Sequence, residues 1–172
     1  ILEKLSTARR INRASDDAAG LSISEQLSTQ VRGFKMASRN VADAMSALDI
    51  AEGTTNEVSS LLQRNRELSL AARNDTLTDD QRARLEEEYQ ANLEEIDRIS
   101  NSAQFNTQGV ASGDELADGN AEVQAGANAG DEITLPRIDV DAAALGVAGT
   151  GIATSAQAAG ALTASDNALN QL

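Results

Sequence analysis

One spacing pattern constrains this chain more than any other feature. Apolar residues stand at Leu27, Val31, Phe34, Val41, Met45 and Leu48, with the small Ser38 at the one interruption. The intervals alternate four and three, which is a heptad seam on a helix rather than a general amphipathic face. No proline interrupts the stretch from Leu21 to Ala72. As one helix it would run about 75–80 Å at roughly 1.5 Å per residue. A helix of that length needs other long helices beside it, from its own chain or from neighbours.

The seam shifts after Leu48 and resumes at Val58, Leu61, Leu62, Leu68 and Ala72. Such a shift changes which face is covered, so the two halves of the helix are expected to bury different surfaces. Gly20, Gly33 and Gly53 lie within it. Each costs about 1 kcal/mol relative to alanine in a helix interior, so their presence points to a close backbone neighbour or a bend. At the front, Ser15 is a candidate cap, and Asp16 and Asp17 suit the positive end of the helix dipole. A metal at these two aspartates is the weaker reading, since no calcium-type loop surrounds them.

Asn74-Asp75-Thr76-Leu77 breaks the pattern, and Thr78 with Gln81 matches a capping box. A second helix is predicted from about Asp79 to Ser100, with its stripe at Leu85, Tyr89, Leu93, Ile96 and Ile99. Arg82 with Glu86, Arg84 with Glu88, and Glu94 with Arg98 are spaced for intrahelical ion pairs. The short connection makes the two helices an antiparallel hairpin. Beyond Asn101, glycines punctuate the chain. Ala121–Ala125 and Glu132–Ile138 are predicted strands of a β-hairpin around Asn128-Ala129-Gly130-Asp131. Asp131, Asp139 and Asp141 read first as turn residues, with calcium as the alternative. The stretch 142–161 is a low-complexity linker or a weak helix. Leu162, Leu169 and Leu172 begin another stripe, which stops in mid-pattern.

Composition narrows the function. A net charge of −13 excludes the basic surface that nucleic-acid binding needs and disfavours anionic membranes. The chain has neither cysteine nor histidine, which removes disulfides, thiolate and imidazole chemistry and the usual zinc and iron ligands. No apolar run is long enough for membrane insertion. With Phe34, Phe105 and Tyr89 as the whole aromatic set, a helical bundle is a better fit than a compact enzyme. The basic segment Ile1–Arg13 reads as a solvated face or a contact for acidic neighbours. Carboxylate neighbours such as Glu94 and Glu95 lie on a charged helix face without a predicted pocket. No catalytic residue, cofactor site or metal site is assigned.

A family resemblance rests on long ordered motifs. Leu5-Ser6-Thr7, Arg10-Ile11-Asn12 and Asp16-Asp17-Ala18-Ala19-Gly20-Leu21 resemble the N-terminal conserved region of bacterial flagellin. So do Val31-Arg32-Gly33, Ser38-Arg39-Asn40, Gln63-Arg64-Asn65-Arg66-Glu67-Leu68, Glu95-Ile96-Asp97-Arg98-Ile99 and Gln104-Phe105-Asn106. Asn65 stands where that family more usually has an apolar residue. The final residues from Leu162 are similar to the start of the family's C-terminal helix.

The resemblance implies a mainly α fold, an elongated bundle of long antiparallel helices with a small β-hairpin region alongside. It divides the chain into a helical part of the filament-core domain (1–104), the β-hairpin region (105–141), an Ala/Gly-rich connector (142–161) and the start of the C-terminal helix (162–172). It implies a structural subunit of the flagellar filament, secreted and extracellular, whose partners are other flagellin subunits. Asp16, Asp17, Arg32 and Arg39 are the expected subunit contacts. The chain begins at Ile1 within helix-like sequence and is read as an excised piece, expected to fold as a monomer without polymerising. The resemblance further implies a host Toll-like receptor as partner, with Arg64, Leu68 and Glu88 at the contact. Solvated or filament roles for Arg64 and Glu88, and a core role for Leu68, remain open at this point. An adhesion module or a hook–filament junction protein is the alternative function. The metalloprotease carried by some flagellins would need histidines that this chain lacks.

Overall fold

The computed structural model describes residues 17–113 and 116–172. The chain is mainly helical: α1 (Ala18–Ala72), α2 (Asp79–Ser102) and α3 (Ser155–Gln171). Between α2 and α3 lie four short strands, β1 (Gln104–Phe105), β2 (Gln108–Gly109), β3 (Glu122–Gln124) and β4 (Glu132–Thr134), in two two-stranded sheets. The fold divides into two compact units. One takes α1 up to Asp43 together with Glu122–Ile133, and the other takes Ala44–Ala121 with Thr134–Leu172.

In the first unit, α1 begins where Asp17 accepts the Gly20 amide at 2.9 Å, which satisfies one of the donors a helix start leaves open. Asp17 is therefore the cap, and the expected capping by Ser15 lies outside the described residues, as does Asp16. The hairpin turn is closed by Asp131, whose carbonyl accepts the Ala125 and Gly126 amides at 2.8 and 3.1 Å. Gly130 supplies the left-handed conformation at φ +92°. This hairpin meets α1 at Gly33. A Cβ placed there would stand 2.8 Å from the Ala127 Cβ, so the glycine is a site of close approach. Ala37 is buried, and the Asn40 amide reaches the Gln124 carbonyl at 3.2 Å.

The buried face of this half of α1 is thus Gly33, Ala37 and Asn40. It is not the heptad seam, whose partner helices are expected from this chain or from neighbours. Leu27, Val31 and Phe34 stay 55, 53 and 56% exposed and Val41 is partly buried; further along the seam, in the second unit, Met45 is 59% exposed and Leu48 partly buried. Small residues won because the hairpin backbone comes too close for the larger ones.

The second unit holds the main core. Val58, Leu62, Leu68 and Ala72 of α1 share it with Tyr89, Leu93, Ile96 and Ile99 of α2, as the two stripes predict. The capping box at Thr78 and Gln81 forms with both hydrogen bonds present. Arg82, buried from α2, donates to the Ala72 and Asn74 carbonyls at 3.0 and 3.3 Å. It thereby satisfies carbonyls left open at the end of α1.

β1 and β2 pair antiparallel around Asn106 and Thr107, both at positive φ (50° and 68°), the geometry a two-residue type I′ turn demands. A β-branched threonine rarely accepts that conformation, and its presence hid this hairpin from sequence reasoning. The predicted hairpin forms with shorter strands than expected. Helix α3 starts at Ser155, capped by Thr154, within the stretch read as linker or weak helix. Its buried face is Ala158, Ala161, Ser165 and Ala168 rather than the leucines, and Leu172 is 39% exposed.

Candidate functional site

The predicted intrahelical ion pairs give way to other partners, and one of these joins the two helices at the surface. Glu88 does not pair with Arg84. It accepts from Arg64 across the helix hairpin, at 2.8 Å from Nε and 2.6 Å from Nη2. Arg64 also donates to Glu67, one turn along α1, at 3.1 Å. The hydrogen bond that Arg64 donates to Glu88, then that to Glu67, raises the Arg64 pKa above its usual value. Arg64 and Glu88 are about half exposed and Glu67 about two thirds, so the pairs add little stability, roughly 0–1 kcal/mol each. What they do is hold a guanidinium in one position on the surface, with its remaining N–H groups free to meet an acceptor.

Leu68 does not join them. At 2% exposure it belongs to the core, because its turn of α1 faces α2. A direct apolar contact from Leu68 to a partner has no surface to rest on. Arg64 and Glu88 are brought together, and Leu68 lies beneath.

Other charged groups tie the fold. Glu86 accepts the Ile152 amide and the Gln90 side chain, and Asp97 accepts the Ala142 amide at 2.9 Å. These two carboxylates pin the 142–152 segment onto α2. Arg98 pairs with Glu95, not Glu94, at 2.5 Å. Asp131, Asp139 and Asp141 each take a local role: Asp131 with Asn128, Asp139 with Arg137, and Asp141 with the Ala144 amide. Tyr89 donates to or accepts from Thr150 at 2.6 Å, and its burial pushes the phenol pKa up. Sequence spacing could not find three of these contacts, Glu86 with Ile152, Asp97 with Ala142 and Tyr89 with Thr150, since each is reached across tens of residues.

In the first unit, Arg32 donates to Ser28 at 3.2 Å and lies exposed, as does Arg39. Both flank the exposed seam. Asp17 caps the helix start, and Asp16 is outside the described residues. An open groove of about 850 Å³ in the second unit is lined by Leu48, Thr55, Ile138, Val140 and Leu145, among others. Among the described residues no cluster of three or more acidic side chains could hold a metal ion, and no helix is long and apolar enough to cross a membrane.

The family model for the bacterial flagellin N-terminal helical region matches residues 1–115. A flagellin of Halalkalibacterium halodurans is 43% identical over 98% of this chain and 61% of its own length. The phase 1 flagellin of Salmonella naestved is 42% identical over 86% of this chain and 28% of its own. The chain therefore spans less than two thirds of these relatives. The crystal structure of Bacillus cereus flagellin matches with a TM-score of 0.64 at 30% identity, covering 77% of this chain and 76% of that one.

Proposed function

Since this chain belongs to the bacterial flagellin family, we propose that it serves as part of a structural subunit of the extracellular flagellar filament. The observation that carries this reading is the exposed seam. Leu27, Val31, Phe34 and Met45 present a heptad row more than half exposed. A row of that spacing is built to receive another helix. In the assembled state it is covered by helices of the subunit lattice, while Asp17, Arg32 and Arg39, with Asp16 before them, supply polar contacts that fix the lattice. The protein acts by packing, not catalysis, and needs no cofactor.

In the full-length protein, Val31→Glu with Phe34→Glu should abolish filaments seen by electron microscopy, while the helical content of the subunit is retained. Reversing Arg32 and Arg39 together should shorten filaments. Normal filaments from the seam variant would overturn the assignment.

A second reading is favoured by the Arg64–Glu88 pair. We infer that this surface is recognised by a host Toll-like receptor, with Arg64 donating to the receptor and Glu88 holding it in place. Arg64→Ala should lower the signal of a receptor reporter about tenfold or more. The swap Arg64→Glu with Glu88→Arg should restore the intramolecular pair but not the signal. Full signal from Arg64→Ala would sink this reading and leave the filament role intact.

A further inference from the structure

Four polar side chains of the second unit, Asn65, Ser69, Ser100 and Ser165, are fully buried, and of these four Asn65 alone keeps a polar atom without a partner. Asn65 lies on the face of α1 that carries Leu62 and Leu68 into the core. Its Oδ1 accepts the Asn92 side-chain amide at 2.8 Å, and its own Nδ2 is buried with no partner among the described residues. Its main-chain carbonyl accepts the buried Ser69 hydroxyl at 2.8 Å. A buried amide of this kind costs stability that a leucine would recover. Something other than stability must be gained.

Both helices carry apolar residues at nearly every third or fourth position: Val58, Leu61, Leu62, Leu68 and Ala72 facing Leu85, Tyr89, Leu93, Ile96 and Ile99. Apolar burial is non-directional, so such stripes discriminate weakly against displacement by one turn. The amide pair discriminates strongly, because its hydrogen bond exists in a single alignment and a low-dielectric surround penalises its loss. Buried asparagine fixing alignment between helices is the best-attested use of such a group. Arg82 anchors the loop end of the hairpin at the Ala72 carbonyl, and Asn65 with Asn92 anchors its middle.

We propose that Asn65 and Asn92 are positioning residues that set the alignment of α2 on α1, and thereby place Glu88 against Arg64. Arg64 is the immediate neighbour of Asn65, and Glu88 lies one turn before Asn92. A displacement of α2 by one turn, about 5 Å, would carry Glu88 out of reach. The alignment claim concerns the fold alone, and only its consequence for receptor recognition rests on the reading above.

The chain has no cysteine, so spin labels at Ser60→Cys and Asp80→Cys, both exposed, report the alignment by pulsed dipolar spectroscopy without any receptor present. The parent should give one distance. Asn65→Leu with Asn92→Leu should melt at or above the parent temperature, yet show a second distance displaced by about 5 Å or a clearly broadened distribution. Asn65→Val, which leaves Asn92 half-buried and able to hydrate, should show the same change more weakly. One sharp, unshifted distance in both variants overturns the proposal. So does loss of folding in both, since the pair would then supply stability rather than alignment. A receptor reporter plays no part in this outcome, so the two readings fail separately.

Discussion

The two units use the same helix in opposite ways. From Ala44 onward α1 turns one row of large side chains inward: Val58, Leu62 and Leu68 are at most 2% exposed, within a core shared with α2 and α3 residues of the same chain, while Met45, Ile50 and Leu70 stay 59, 38 and 46% exposed on its other side. Before Asp43 it turns its small face, Gly33 and Ala37, to the hairpin and leaves Val31 and Phe34 in solvent. The lesson is that a heptad seam specifies a partner helix without saying which chain supplies it. Where the chain provides that helix, the seam becomes core. Where it does not, the seam remains a surface. The sharpest way to break this contrast is to truncate one large residue from each half. Ile96→Ala, in the second unit, should cost about 2–5 kcal/mol in urea unfolding. Phe34→Ala should change the stability of this chain by no more than about 0.5 kcal/mol. Equal losses would mean that Phe34 is core after all.

The glycines give a second, smaller test of the same contrast. Gly33 meets the Ala127 backbone, whereas nothing lies within 4 Å of the Cβ position at Gly53. Gly33→Ala should therefore cost roughly 1–3 kcal/mol by overpacking, read out as faster amide exchange at Gln124 to Asp131. Gly53→Ala should stabilise by up to about 1 kcal/mol through helix propensity alone. A stabilising Gly33→Ala would show that the hairpin is not held at that point.

Much of the second unit was legible in the sequence because burial follows periodicity when the partner is local. The stripe of α2, its capping box and the later stripe of α1 all stand where 3.6-residue spacing puts them. The first unit was legible in element type but not in face. A row of large apolar residues outweighed Gly33, Ala37 and Asn40, although it is the small residues that let a backbone approach. The same bias chose Leu162 and Leu169 over Ala158, Ala161, Ser165 and Ala168 on α3. The charged pairs were illegible for a different reason. Four-residue spacing makes Arg84–Glu88 possible, but the first helix brings Arg64 to Glu88 across the hairpin, and nothing local announces that. Of the receptor-contact residues read from family resemblance, Arg64 and Glu88 meet at the surface while Leu68 is enclosed.

The weakest expected effect separates surface charge from core in the stable unit. Arg98 hydrogen-bonds Glu95 at 2.5 Å and holds its carboxyl below the usual carboxylate range. A depressed folded-state pKa contributes stability above the unfolded-state value, near 4.5, which is lost as the pH falls through the folded-state value. The pair lies at the surface, with the Glu95 side chain 42% exposed, so salt should erase most of the difference. In an NMR titration, Arg98→Ala should return the Glu95 pKa toward 4.5 while leaving the urea midpoint at neutral pH nearly unchanged. Tyr89 marks the opposite case in the same helix. Its pKa is raised above 10.0 chiefly by burial, so the stability it carries is complete below pH 10 and is lost as the pH climbs through the folded-state value. If alkaline unfolding of Tyr89→Phe begins at the same pH as the parent, the buried phenol is not what sets that limit. If Arg98→Ala shifts the neutral-pH midpoint as far as Ile96→Ala does, the division between a core that stabilises and a surface that orients fails in the very unit where it is drawn most clearly.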